Sequence, residues 1–140
     1  TTLAQLGTTV HFYVDPAQRA TAIAEAGDTL WSLARSATAG SDAQFQFVKY
    51  FANLASTADH VAALQGLLDG SIALDGLVID TDLGWELLEG LVLNGAAGQP
   101  EIDRALEQVL DGVQRLVGDS TYRTALSDWR DQTHRLGWPA

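Results

Sequence analysis

The amino-acid sequence predicts an all-α protein, built as a stack of antiparallel helix pairs with six or seven helices. Apolar residues recur at helical spacing along most of the chain, polar capping residues precede these stripes, and Gly or Pro residues separate them. The 140 residues are expected to form a single domain (1–140), and the 46% of apolar residues suffice for its core.

The first two predicted helices cover residues 2–14 and 15–37. The first carries a leucine and valine stripe, although its β-branched residues also fit a strand. For the second helix, Asp15 is the expected N-cap and Pro16 the first helical residue. Leu33 is placed on the apolar face of this helix.

The third and fourth helices have clear capping signals. Ser41, followed three residues later by Gln44, forms a capping box that starts the third helix. Ser56 and Thr57 are the expected caps of the fourth helix, and His60, one turn further on, is expected to be exposed. Residues 71–79 lack a helical period and are predicted to form an extended or single-turn connector.

The fifth helix is predicted to be the packing element around which the other helices are arranged. Asp80 or Thr81 caps its N-terminus, and Asp82 adds negative charge where the helix dipole is positive. Trp85 lies beside its leucine stripe and is interpreted as a packing residue. The dipeptide 94–95, Asn-Gly, supplies the left-handed residue that ends such helices.

The last two helices are predicted from Pro100 and from the break near residue 119. Pro100 is the expected first residue of the sixth helix. The seventh helix covers residues 121–136, with Trp129 on its apolar side. Trp138 follows this helix, where it either packs back on the bundle or contacts a partner.

The charge distribution argues against several classes of partner. The formal net charge is −10, and residues 50–103 contain no Lys or Arg. Such a chain repels phosphate backbones and anionic lipids, so neither nucleic acid nor a membrane is an expected partner. The acidic surface is either solvated or forms a wall that attracts cationic peptide N-termini. The absence of Cys, of a signal peptide and of a long apolar run favours a cytoplasmic location.

The sequence contains no recognisable catalytic motif. The three histidines, His11, His60 and His134, are far apart, and none belongs to the His-Glu-x-x-His pattern of zinc peptidases. Phosphate-binding glycine loops and a Gly-x-Ser-x-Gly elbow are also missing. Asp80 and Asp82 are better explained as capping residues than as an acid/base pair. We therefore assign no catalytic, cofactor-binding or metal-binding residue to this chain.

Several segments resemble, in order and spacing, the C-terminal helical domain of actinobacterial aminopeptidase N, a zinc aminopeptidase of the M1 family. These segments are residues 13–16, 30–35, 40–44, 67–70, 76–88 and 98–103. The resemblance covers about residues 1–107, and residues 108–140 form a divergent helical extension.

The resemblance implies a non-catalytic domain of superhelically stacked helix pairs, which covers the active-site chamber and controls peptide access. Zinc would then be held by a separate catalytic domain, which would also be the main partner, and the parent activity would be removal of N-terminal amino acids. The alternative is a free-standing helical-repeat module that binds a protein or peptide on its concave face and has no peptidase activity.

Overall fold

The computed structural model describes residues 1–117 and 120–135, and every regular element in these ranges is an α-helix. This confirms the all-α prediction. The helices are α1 (Thr2–Phe12), α2 (Arg19–Ser36), α3 (Asp42–Leu54), α4 (Ala58–Asp69), α5 (Thr81–Leu93), α6 (Gln99–Val117) and α7 (Ser120–Arg135).

The chain divides into two compact units, Thr1–Ala96 and Ala97–Ala140. The first unit contains α1 to α5, and the second contains α6 and α7. The division lies in the loop between α5 and α6, whereas the sequence-based subdivision after residue 107 falls inside α6.

Helix α3, and not the predicted α5, is the centre of the first unit. It packs against α1, α2 and α5, while α4 packs on α5. Fully buried side chains come from α2, α3, α4 and α5, and the largest are Phe51, Leu30, Leu64, Leu83, Leu87 and Val48. Burial of one such side chain contributes about 1.5–3 kcal/mol, so this core is the main source of stability for the unit.

Two of the predicted helix starts are confirmed by their hydrogen bonds. The Ser41 hydroxyl accepts the Gln44 N–H at 3.1 Å, and the Thr57 hydroxyl accepts the His60 N–H at 3.2 Å. Each hydroxyl satisfies one of the N–H groups that the first turn of a helix leaves without a partner.

The predicted start of α2 is wrong by several residues. The helix begins at Arg19, and Asp15 instead forms a turn in which its side chain accepts the Ala17 N–H at 2.9 Å. The Gln18 N–H donates to the Asp15 carbonyl, also at 2.9 Å. Aspartate competes in this way with helix formation by bonding its own neighbouring backbone, which delays the helix.

Two residues that were predicted on apolar faces are exposed. Leu33 is 40% exposed. The buried face of α2 is narrower than predicted and consists of Gly27, Leu30 and Ala34. Trp129 is 64% exposed. Within the described part of the second unit α7 has one neighbouring helix, α6, so only one of its faces is covered there.

The connection between α4 and α5 is held against the N-terminus of α3. Gln44, 3% exposed, accepts the Gly40 N–H at 2.9 Å and donates to the Asp75 carbonyl at 3.3 Å. Gly40 and Gly76 both have positive φ, 71° and 74°, and a Cβ on Gly76 would lie 2.7 Å from the Ala39 carbonyl carbon. Glycine is therefore required at Gly76 for both its conformation and its close approach.

The second unit begins with a capped helix. Glu101 accepts the Gly98 N–H at 2.8 Å and the Arg104 guanidinium at 3.1 Å. Helix α6 starts at Gln99, one residue before the predicted first residue Pro100. Further along, Arg130 of α7 donates to Glu107 of α6 at 2.7 Å, and this hydrogen bond raises the pKa of Arg130 above its ordinary value.

The cap on α6 is expected to be lost in acid. The Gly98 N–H that donates to Glu101 lowers the pKa of this carboxyl below its ordinary value of 4.5. Because the folded-state pKa is lowered, the stabilisation is fully present above the ordinary value and is lost as pH falls through the lowered pKa. An NMR titration should show the Gly98 amide shift following the Glu101 carboxyl. Glu101→Gln is the control, because its amide oxygen can accept the bond but does not titrate; an equal pH dependence in this variant would contradict the assignment.

Candidate functional site

Two polar side chains, Gln44 and His60, are buried in the described residues, and His60 is 2% exposed. Its Nε2 lies 2.8 Å from Asp28 Oδ1 of α2, and its Nδ1 accepts the backbone N–H of Ser56 at 3.2 Å. The prediction that His60 is exposed is therefore wrong. We call His60, Asp28, Ser56 and Gly27 the His60 cluster.

The sequence contained two signals for this burial. His60, Leu64 and Leu67 are spaced i, i+4 and i+7, so the imidazole lies on the buried face of α4. Gly27 lies opposite, within α2, and a Cβ there would come 2.5 Å from His60 Cε1. A glycine inside a helix is costly unless another group approaches closely, as the imidazole does here.

An aromatic row extends the His60 cluster into the core. The Phe51 ring meets the His60 ring edge to face, at 5.3 Å and 81°, and stacks on Trp31 at 5.0 Å and 26°. These side chains belong to α4, α3 and α2, so the row joins three helices. Trp31, at the outer end of the row, is half-buried.

The hydrogen bonds of His60 define what the imidazole can do. The Ser56 amide can only donate, so Nδ1 is the acceptor and the hydrogen lies on Nε2, directed at Asp28. The group of Ser56 that contacts His60 is its backbone N–H and not its hydroxyl. His60 is therefore not placed to act as the general base for a serine nucleophile at this position. The His60 cluster thus holds α2, α4 and the α3–α4 connection together.

The described residues also do not fit a zinc site. Within residues 1–117 and 120–135, no group of three His, Cys, Asp or Glu side chains is arranged to hold a metal ion. Zinc in a catalytic centre needs three protein ligands and an open position. The zinc chemistry implied by the resemblance therefore has no ligand set in this part of the chain.

The predicted structural residues lie at the start of α5. Asp80 accepts the Leu83 N–H at 2.8 Å, which makes it the N-cap. Thr81 and Asp82 are exposed in the first turn, and Trp85 is half-buried. Trp138 lies outside the described residues.

The stretch of sequence that contains the start of α5 is acidic. Lys49 and Arg104 border a stretch without a basic residue, and Lys49 itself lies 3.7 Å from Glu86. A shallow, open depression on α6 is lined by Asp111, Gln114 and Arg115. None of the described helices has the length and apolar character needed to cross a membrane.

The hydrogen bond between His60 and Asp28 is expected to contribute little to stability. Asp28→Ala should lower the free energy of unfolding by about 0.5–1 kcal/mol, because the Asp28 side chain is 72% exposed and solvent screens the contact. Urea denaturation followed by circular dichroism measures this change. Asp42→Ala, which removes a first-turn carboxylate of α3, is a matched surface control. A loss for Asp28→Ala several times larger than for the control would show that His60 depends on this carboxylate.

Comparison with known proteins identifies one related segment. Over 74 residues the chain is 38% identical to aminopeptidase N of Streptomyces lividans. The aligned stretch is 53% of this chain and 9% of the relative, so the chain corresponds to a small part of that protein's length. No protein-family model matches the chain. The match supports an aminopeptidase N-related segment that is shorter than the 107 residues of the resemblance described above.

Proposed function

We propose that this chain is a non-catalytic helical part of an M1-type aminopeptidase, equivalent to its C-terminal domain, which covers the active-site chamber and controls the entry of peptides. The observation that carries the proposal is the 38% identity to aminopeptidase N over 74 residues. The all-helical architecture and the structural character of the His60 cluster agree with a supporting role rather than with bond cleavage.

A helical cover could act on the reaction in two physical ways. It would exclude water from the chamber and limit the length of peptide that reaches the catalytic groups. The stretch without Lys or Arg between residues 50 and 103 would favour the positively charged N-termini of peptide substrates. Both effects require that the partner of this chain is a catalytic domain. That domain would hold the zinc. A cytoplasmic location belongs to the same proposal.

The proposal can be tested by complementation. The Streptomyces enzyme would be shortened to remove the region that matches this chain, and this chain would then be added. We expect the two to bind, and we expect cleavage of long peptides to fall relative to cleavage of an aminoacyl amide. An acidic helical protein of similar size is the control. Absence of binding, or an equal effect from the control protein, would overturn the proposal.

A free-standing binding module is the second candidate. The match leaves nearly half of the chain without a related sequence, and the second unit is compact by itself. Size-exclusion chromatography with light scattering discriminates the two functions. A surface that normally lies against a catalytic domain should cause self-association when bare, whereas an independent module should be a monomer.

A further inference from the structure

The C-terminal end of α5 is held by an unusually dense set of hydrogen bonds around Asn94. Its side-chain Nδ2 donates to the Ala55 carbonyl and to the Gly90 carbonyl, both at 2.8 Å. The Gly95 N–H donates to Val92 at 3.0 Å, and Gly95 has a φ of 71°. This arrangement confirms the predicted helix end and ties α5 to the residue that follows α3.

The same dipeptide, Asn94-Gly95, is chemically reactive in a flexible chain. The Gly95 nitrogen can attack Asn94 Cγ, because glycine has no side chain to hinder the approach. The new N–Cγ bond closes a succinimide ring, the Cγ–Nδ2 bond breaks, and ammonia leaves. Water then opens the ring at one of its two carbonyls, which yields aspartate or isoaspartate at position 94.

We propose that Asn94 is a conformation-gated deamidation site, whose conversion to aspartate or isoaspartate detaches the end of α5 from Ala55. In the folded chain both reacting groups are occupied. The Gly95 N–H donates a hydrogen bond to the Val92 carbonyl, and the Asn94 side-chain Nδ2 donates to two carbonyl oxygens. Reaction therefore requires the last turn of α5 to open first.

The product cannot restore the original contacts. A carboxylate at position 94 has no hydrogen to donate, and it would face the Ala55 and Gly90 carbonyl oxygens at hydrogen-bonding distance. It would also place negative charge at the negative end of the α5 dipole. Isoaspartate would add a methylene to the backbone and disturb the turn at Gly95. Each conversion is irreversible, so modified molecules accumulate in proportion to the time spent open.

The first experiment compares deamidation rates in the folded and the urea-unfolded chain at mildly alkaline pH, followed by fragmentation mass spectrometry. Asn53 is an internal control, because it precedes Leu54, whose side chain hinders the attacking nitrogen, and its side chain is exposed on α3. We expect Asn94 to react at least about tenfold more slowly in the folded chain. We also expect Asn94 to react faster than Asn53 once the chain is unfolded. Equal deamidation rates of Asn94 in the folded and the unfolded chain would contradict the proposal that the folded conformation controls the reaction.

The second experiment tests the consequence of conversion. Asn94→Asp reproduces one product, and Asn53→Asp introduces the same charge where the amide makes a single bond within α3. Amide hydrogen exchange at the end of α5 should become at least about tenfold faster in Asn94→Asp and stay unchanged in Asn53→Asp. An unchanged rate of amide hydrogen exchange in Asn94→Asp would refute the proposal that the conversion detaches the end of α5 from Ala55. If Asn94→Asp does not fold, exchange measured on the partly deamidated natural chain gives the same comparison.

Discussion

Replacing Phe51 by alanine is expected to lower the free energy of unfolding by about 3–5 kcal/mol. Phe51 is completely buried in α3 and contacts both Trp31 and His60 through its ring. The substitution would remove the largest fully buried side chain and leave a cavity between three helices. Since a domain of this size is stable by only about 5–15 kcal/mol, the loss should be evident in urea denaturation followed by circular dichroism.

The matched control for this change is Phe12→Ala. Phe12 is 76% exposed at the end of α1, so truncation should alter the free energy of unfolding by less than about 0.5 kcal/mol. Similar losses for the two variants would show that Phe51 is not the centre of the packing.

The second large effect is expected at Gly90, where α5 approaches α3. A Cβ on Gly90 would lie 2.7 Å from the Ala52 carbonyl oxygen and 2.9 Å from Leu64 Cδ1. Because the nearer atom belongs to the backbone of α3, the two helices would have to separate. We expect Gly90→Ala to destabilise the protein by about 1–3 kcal/mol, despite the higher helix propensity of alanine.

Gly84→Ala, on the same helix, should have the opposite sign. Among the described residues outside the helix's own backbone, no atom lies within 4 Å of a Cβ at Gly84. Alanine should therefore stabilise α5 by about 0.5–1 kcal/mol through its higher propensity. Thermal denaturation of the two variants measures both effects, and a shared sign would contradict the close contact between α5 and α3.

The parts of the fold that depend on local chemistry could be predicted from the sequence. Ser41 and Thr57 cap α3 and α4 because a hydroxyl at the N-cap satisfies a first-turn amide wherever the helix lies. Gly70 and Gly95 end α4 and α5 because glycine adopts positive φ without steric cost. These signals act over a few residues, so tertiary contacts do not change them.

The start of α2 was misplaced by a local turn at Asp15, whereas the errors at His60 and Gln44 came from contacts with distant segments. His60 was expected to be exposed because it is polar and near a helix start, but Gly27 and Asp28, more than thirty residues away in sequence, provide its pocket and partner. Gln44 was predicted to complete a capping box with Ser41, but its side-chain oxygen accepts the Gly40 N–H instead and its amide nitrogen donates to the Asp75 carbonyl. Capping signals in the sequence do not indicate such long-range partners, because these partners are set by which helices pack against each other.

A function could be proposed from the sequence mainly because of the resemblance to aminopeptidase N. The charge pattern argued against nucleic acid and membranes as partners, but no spacing of residues in the sequence indicates a chamber or a peptide. The comparison supports the aminopeptidase relationship for 74 residues. The complementation experiment tests the proposed role in peptide access.

The attachment of the α4–α5 connection to the start of α3 limits which changes of loop length the protein can accept. Asp75 and Gly76 are fixed against Gln44 and Gly40, and the Ile72 N–H donates to Gly66 at 2.9 Å. Residues inserted between Ile72 and Asp75 would have to bulge outwards without moving either attachment. Relatives with longer connections should therefore carry the extra residues between Leu77, whose N–H donates to the Leu74 carbonyl at 3.0 Å, and Asp80, which caps α5.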